Sequence, residues 1–278
     1  MPSLRGWCEM DAEAVFGAEQ PVVGMVHLRA LPGAPGYDAA GGREAVHAAA
    51  RRDAERLAAG GVDALIVENF GDAPFYPESV PNHVVAELTA VVESVRDVTD
   101  RPVGVNVLRN DGPSAVAVAA ATGAAFVRVN VHVGARVADQ GVLEGRAHET
   151  MRLRQRLDAD VRVLADVAVK HSAPLSPDPA SGAMLGDAVE RGLADGVVVS
   201  GAGTGQATDH DAVRAAVATR DDRGLDAAVF VGSGVTSDTV GDALSIADGV
   251  IVGSALKQDG AVSVDRVERL VAAADAVR

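Results

Sequence analysis

Eight short runs rich in β-branched residues recur along this chain, separated by stretches with helical periodicity. The runs are Val22 to His27, Ala64 to Glu68, Val103 to Val107, Ala125 to Val131, Val161 to Val169, Gly196 to Ser200, Ala228 to Gly232 and Gly249 to Gly253. The spacing predicts helices over Arg43 to Ala59, Asn82 to Val98, Pro113 to Thr122, Glu144 to Leu157, Ala180 to Leu193 and Val264 to Val277. Gly60-Gly61 and Gly123 follow their helices as stop signals. Strands that alternate with helices pair in parallel through right-handed crossovers. Eight is the number that closes such a sheet on itself, so a single-domain α/β fold, a (β/α)8 barrel, is expected. An open doubly wound sheet is the alternative, but no GxGxxG fingerprint follows the first strand. A barrel of this kind takes roughly 250 residues, and the chain has 278. Residues 21 to 278 are assigned to the barrel, and residues 1 to 20 to a lead-in that covers its bottom.

Only 3% of residues are aromatic, so Val, Ala, Leu and Ile must fill the core. The net charge of −14 repels phosphate backbones and anionic membrane surfaces, which argues against nucleic-acid and membrane partners. Lys170 and Lys257 are the only lysines; the other basic residues are arginines. An acidic, lysine-poor surface suits high intracellular salt, although a GC-rich genome also favours Arg over Lys. Cys8 is the single cysteine, so neither an intrachain disulfide nor a thiolate zinc site is expected. The first residues lack the apolar run of a secretory signal, and no segment reaches the ~20 apolar residues of a membrane span. A cytoplasmic, soluble protein is expected.

The seventh strand runs into GSGVT and the eighth into GSALK. Barrels often hold phosphate between these two loops. A phosphate accepts several backbone N–H groups at once, and a Cβ obstructs that approach. Gly232, Ser233, Gly234, Gly253 and Ser254 are therefore candidate phosphate contacts. Gly201 and Gly203, in the GAGTG after the sixth strand, extend the set, with Ser200 and Thr204 beside them. Glycines that merely permit tight turns are the alternative.

Polar residues collect where strands end: His27, Glu68-Asn69, Asn106, Arg109-Asn110-Asp111, Arg128, Asn130, His132, Asp166 and Lys170-His171. In this fold those positions face the site. Arg128 and Asn130 share one face of their strand, as Asp166 and Lys170 do if theirs stays regular. Lys170 could serve as a Schiff-base nucleophile in a low-dielectric interior, or stay charged and clamp an anion. It could also extend to solvent. Asp166 and Glu68 could act as general base and acid, or form structural ion pairs with Arg128 or Lys170. His27, His132, His171, Glu68 and Asp166 could meet on one divalent ion, but no HxH or HExxH spacing supports it, so no metal is assigned. The candidate catalytic set is Lys170, Asp166, Glu68, Asn106, Arg128, Asn130 and His27. Three long loops, LRALPGAPGYD, NFGDAPFYPES and HVGARVADQGVLEGRAHE, could be lids or a homo-oligomer interface.

The stretches GMVHLRALPGAPGY, VDALIVENFGDAPF, PVGVNVLRND, VRVNVHVGARVADQGVLEGRAHE, VKHSAPL, VVVSGAGTG, VGSGVT and ADGVIVGSALK together resemble the BtpA family. The resemblance spans about residues 20 to 258. It implies a barrel of the kind predicted for that group of enzymes. The family takes its name from a cyanobacterial member needed for accumulation of photosystem I, and relatives occur in non-photosynthetic bacteria and archaea. Three functions remain open. One is an enzyme on a phosphorylated small metabolite, by lyase, isomerase or transferase chemistry. The others are a non-catalytic assembly or stability factor and an FMN-binding barrel; no cofactor is assigned.

Overall fold

In the structure, a computed structural model that describes residues 11–167, 171–175, 181–201 and 206–278, eight parallel strands close into a ring. The strands are β1 (Val22–His27), β2 (Ala64–Glu68), β3 (Val103–Asn106), β4 (Phe126–Val129), β5 (Arg162–Asp166), β6 (Gly196–Val199), β7 (Ala228–Val231) and β8 (Gly249–Val252). β1 closes the ring, pairing with β2 from Val23↔Ala64 and with β8 from Val22↔Val250. The helices are α1 (Ala12–Phe16), α2 (Gly42–Ala59), α3 (Asn82–Arg96), α4 (Gly112–Thr122), α5 (Ala147–Arg156), α6 (Ser181–Gly186), α7 (His210–Arg223), α8 (Val240–Leu244) and α9 (Val264–Asp275). α4 shows how the sequence sets its ends. The Asp111 side chain accepts from Ser114 N, Pro113 sits in the first turn, and Gly123 leaves the helix at φ 67°.

Side-chain alternation divides the strands between two cores. Val22, Val26, Leu65, Val67, Val105, Val127, Val163, Val197, Val229 and Val250 point outward and pack beneath the helices. Val23, Met25, Ile66, Phe126, Leu164, Val198, Phe230 and Ile251 point inward and fill the ring. Phe16 of α1 enters that inner cluster from below and is 1% exposed. Its ring meets Phe126 and Phe230 edge-on, at centroid distances of 5.1 and 5.5 Å. Gly104 makes room for this trio: a Cβ there would overlap the Phe126 ring.

One device recurs at the bottom. Asp63, Asp195 and Asp248 each precede an even-numbered strand. Their carboxylates accept from the N–H groups of Val22, Val163 and Val229, at 2.8, 2.7 and 2.7 Å. Each aspartate also pairs with an arginine from another segment: Arg278, Arg154 and Arg220 respectively. The starts of β1, β5 and β7 are thereby tied to the turns that enter the strands after them.

The expected helix from Glu144 begins later. Ala135–Ala138 and Gly141–Glu144 form an antiparallel hairpin, joined by Ser172–Pro174, and α5 starts at Ala147. Gly141 takes φ 105° at the turn, and Gly145 lies so close to Val133 that a Cβ would fall 2.5 Å from its Cα. The charge spacing counted from Glu144 therefore belongs to two elements. α7 and α8 add to the expected helices. α7 buries only Val213 and Ala216, too few to give a clear apolar stripe.

Phe16→Ala should lower unfolding free energy by about 3 kcal/mol, because it empties the space between two rings. Urea denaturation measures this, and a loss under about 1 kcal/mol would place the Phe16 ring outside the packed interior.

Candidate functional site at the barrel mouth

The inward alternation that buries Met25, Ile66 and Phe126 continues upward into polar residues. His27, Glu68, Asn106 and Arg128 follow one another around the ring as partners in register. Above them opens a cavity of about 550 Å³, lined among others by His27, Glu68, Arg128, Asn130, Arg109 and His171.

Arg128 and Asp166 form its firmest contact. Arg128 Nε donates to Asp166 Oδ1 at 2.7 Å and Nη2 donates to Oδ2 at 2.9 Å. Asn130 Nδ2 donates to the same Oδ2 at 3.1 Å, and Arg128 Nη2 also reaches Ser200 Oγ at 3.3 Å. Burial works against the Arg128 charge, but the attraction and hydrogen bonds of Asp166 outweigh it and raise the pKa. The Asp166 carboxylate accepts three N–H groups and is engaged in holding Arg128 and Asn130. Among the described residues, Glu68 is the carboxylate that lines the cavity itself. His27 Nε2 lies 3.8 Å from Glu68 Oε1, and its ring stacks on Phe70 at a centroid distance of 4.5 Å. Burial lowers the pKa of Arg109, opposed by Asp166, Asp139 and Glu68.

Gly232, Ser233 and Gly234, with Val235 and Thr236, line the same cavity as Gly253 and Ser254. Gly234 has φ 70°, and a Cβ there would overlap the Ala207 backbone. At Gly232 a Cβ would collide with the Val198 and Ser200 side chains. Gly201 is placed differently. It donates its N–H to Ser233 Oγ at 2.7 Å and so braces the seventh-strand turn. Thr208 Oγ1 donates to the Ser233 carbonyl at 2.9 Å, a brace that sequence reasoning missed because Thr208 follows no strand directly. Gly203, Thr204 and Lys170 lie outside the described residues.

The rim on the other side is stitched by side chains. Asp72 accepts from Leu31 N at 2.7 Å and from Asn69 Nδ2 at 3.1 Å, while Asn69 Oδ1 accepts from Leu108 N at 2.7 Å. Burial raises the Asp72 pKa, against the hydrogen bonds from Leu31 and Asn69. Asn110 accepts from Val131 N, and Asp111 from Val80 N. Asn69, Asn110 and Asp111 thus shape loops. Arg109, beside Asn110 in the chain, reaches the cavity, and its place just past the end of β3 was the available signal.

His132 is also structural. Its Nε2 donates to the Gly192 carbonyl at 2.8 Å, away from the cavity-lining residues. Among the described residues no group of three His, Cys, Asp or Glu side chains could hold a metal ion.

The sequence profile of the BtpA family matches residues 18–276. The chain belongs to the BtpA family. It is 44% identical to the photosystem I biogenesis protein BtpA of Synechocystis, over 91% of this chain and 86% of that one. An uncharacterized protein of Thermococcus kodakarensis is also 44% identical, over 93% and 97%. Solved structures share the barrel at low identity. N-(5'-phosphoribosyl)anthranilate isomerase from Pyrococcus furiosus has a TM-score of 0.57 at 14% identity, over 93% of this chain and 100% of that one. Thiamine phosphate pyrophosphorylase from the same organism has a TM-score of 0.56 at 15% identity, over 93% and 96%. Among the described residues of this BtpA-family chain, no helix is long and apolar enough to cross a membrane.

Burial holds the His132 pKa below the ordinary imidazole value, and Nδ1 has no hydrogen-bond partner among the described residues. The folded state therefore resists protonation more than the unfolded chain. This contribution to stability is fully present above about pH 6.5 and is lost as pH falls through the depressed folded value. His132→Gln should flatten the acid side of a stability–pH profile, read by urea midpoints. An unchanged acid limb would mean that the ring is not held neutral.

Proposed function

We propose that the protein is an enzyme acting on a phosphorylated small molecule by lyase, isomerase or transferase chemistry. One observation carries this reading: the glycine turns after β7 and β8 open onto the same cavity as Glu68 and His27. Backbone N–H groups of Ser233 to Val235 and Gly253 to Ala255 would hold the phosphate, with Ser233 and Ser254 as hydroxyl donors; the Gly232 N–H already goes to the Val199 carbonyl and that of Thr236 to Thr239 Oγ1. Glu68 would move the proton, assisted by His27 at 3.8 Å. Arg128, Asn130 and Asp166 would keep the floor rigid and position the reacting end, because each is already committed to another. Lys170 keeps the role of nucleophile or anion clamp on its place in the sequence alone. Two barrels that resemble this one are named for phosphorylated compounds, which agrees with the reading.

The name of the Synechocystis relative favours a second reading, a non-catalytic assembly factor. Three experiments test the phosphate site and separate the two readings. Ser254 is exposed at the mouth, so Ser254→Asp should leave the fold intact while placing a negative charge where phosphate binds. Ribose 5-phosphate should raise the melting temperature of the wild type and not of this variant. An equal rise in both would remove the phosphate from this turn.

Glu68→Gln should lower turnover by about 10²-fold or more once a substrate is found by metabolite screening. A deletion strain fully complemented by Glu68→Gln and Lys170→Ala would favour the assembly factor.

A further inference from the structure

An arginine faces the glycine turns from the other side of the mouth. Arg109 follows β3 in the loop that leads to α4, and it lines the same cavity as Ser233, Gly253 and Ser254. Strand order sets the two sides apart. Around the ring β3 stands opposite β7, at the same number of strands in either direction, so the loops after them meet across the barrel. The backbone that presents Arg109 is pinned residue by residue. Leu108 N donates to Asn69 Oδ1 at 2.7 Å, and Arg109 N donates to the Tyr76 carbonyl at 3.1 Å. Asn110 accepts from Val131 N at 2.7 Å and donates to the Glu144 carbonyl at 3.0 Å. A loop so restrained needs little ordering when a ligand arrives.

The described lysine and arginine side chains that line the cavity are Arg109 and Arg128, and their charges are balanced differently. At Arg128 the attraction and hydrogen bonds of Asp166 outweigh burial. At Arg109 burial outweighs the attraction of Asp166, Asp139 and Glu68, Arg128 adds repulsion, and the pKa falls. The surroundings give the reason. Asp166 is engaged with Arg128 in two hydrogen bonds. Asp139 is exposed, so solvent screens it. Glu68 stands beside His27. The carboxylates thus reach Arg109 as shared or screened charges, while Arg109 itself is only 8% exposed. A buried cation so placed gains from an anion set against it. A guanidinium also offers a carboxylate or phosphate two parallel N–H donors.

We propose that the ligand carries a second anionic group at the end away from the phosphate, a carboxylate or a further phosphate, and that Arg109 receives it. Arg109 is then a specificity-determining residue. This inference rests on the phosphate site proposed above. In ring order β1 and β2 stand between β8 and β3. A ligand held at the eighth-strand turn and at Arg109 would therefore pass His27 and Glu68 along its middle, where the proposed proton transfer takes place.

Three phosphate esters with five-carbon chains test the proposal by calorimetric titration at one salt concentration: pentyl phosphate, 4-carboxybutyl phosphate and pentane-1,5-diyl bisphosphate. At least one of the two esters with a second anion should bind about ten-fold or more tightly than pentyl phosphate, the effect of one charge-assisted contact to a buried guanidinium. The tighter of those two identifies the far group as carboxylate or phosphate. Arg109→Gln should erase the preference while pentyl phosphate binds as before. A smaller difference in the wild type, or tightest binding of pentyl phosphate, overturns this inference and leaves the phosphate site standing. Binding by none of the three overturns the phosphate site, and this inference with it. A preference that persists undiminished in a folded Arg109→Gln removes Arg109 from the role. Should that variant fail to fold, Arg109→Lys retains the charge and should retain part of the preference; its complete loss there also overturns the assignment. The wild-type series decides the nature of the ligand in either case.

Discussion

A closed ring of parallel strands has no edge, so every second residue must point into an interior of fixed width. That constraint shapes everything else in this protein. Lower in the ring the interior is filled by rings and branched chains, with Phe16 inserted from beneath and Gly104 reduced to a backbone so that Phe126 fits. Higher up the same alternation continues, but the filling becomes polar: His27, Glu68, Asn106, Arg128 and Asp166. The site is therefore not added to the fold. It is the top layer of the packing, and its side chains are held by the strand register that orders the core.

A charged layer inside a barrel is tolerated only when the charges answer one another. Removing one partner of a buried pair costs about 3–5 kcal/mol, since the other is left without water or counter-charge. Arg128 and Asp166 meet in a bidentate geometry that suits a guanidinium. Asn130 and Ser200 occupy the positions that remain. The network links β4, β5 and the end of β6, and it restrains the floor against rearrangement. It also distinguishes the two carboxylates. Asp166 is consumed by structure, whereas Glu68 borders the open space beside His27.

The fold was legible because its signal is periodic and repeated. Each β-branched run coincides with a strand or overlaps one, and counting eight of them required no knowledge of which neighbours pair. The candidate residues were legible for the same reason, since strand ends fix where a mouth must be. Two kinds of information were not. The hairpin over residues 135 to 144 ran into a segment that looked helical, because charges at spacings of three and four do not reveal that Gly141 and Gly145 break the backbone path. The division of labour among Asp166, Glu68, Asn69 and Asp72 depends on which donors each meets across the ring. That depends on contacts between residues far apart in the chain, and no local pattern reports them.

The two glycine turns carry unequal weight for the anion site. Gly232 has side chains of β6 and its end in the space of any added Cβ, and Gly234 combines φ 70° with the Ala207 backbone in the same position. Packing alone would demand both glycines, so their presence in the sequence does not separate a phosphate cradle from a tight crossing of loops. Gly253 differs. A Cβ there would meet only a His27 ring edge at 3.1 Å and Met25 at 3.4 Å, contacts that small side-chain shifts relieve. Ser254, next along, is exposed and borders the cavity rather than serving in a brace like that of Ser233. The eighth-strand turn is thus the place where packing requires least and an anion would require most. It is also beside His27, which joins this turn to Glu68. A phosphate held there would lie beside His27 and so next to the proposed proton-transfer pair, and binding and chemistry would share a single contact surface.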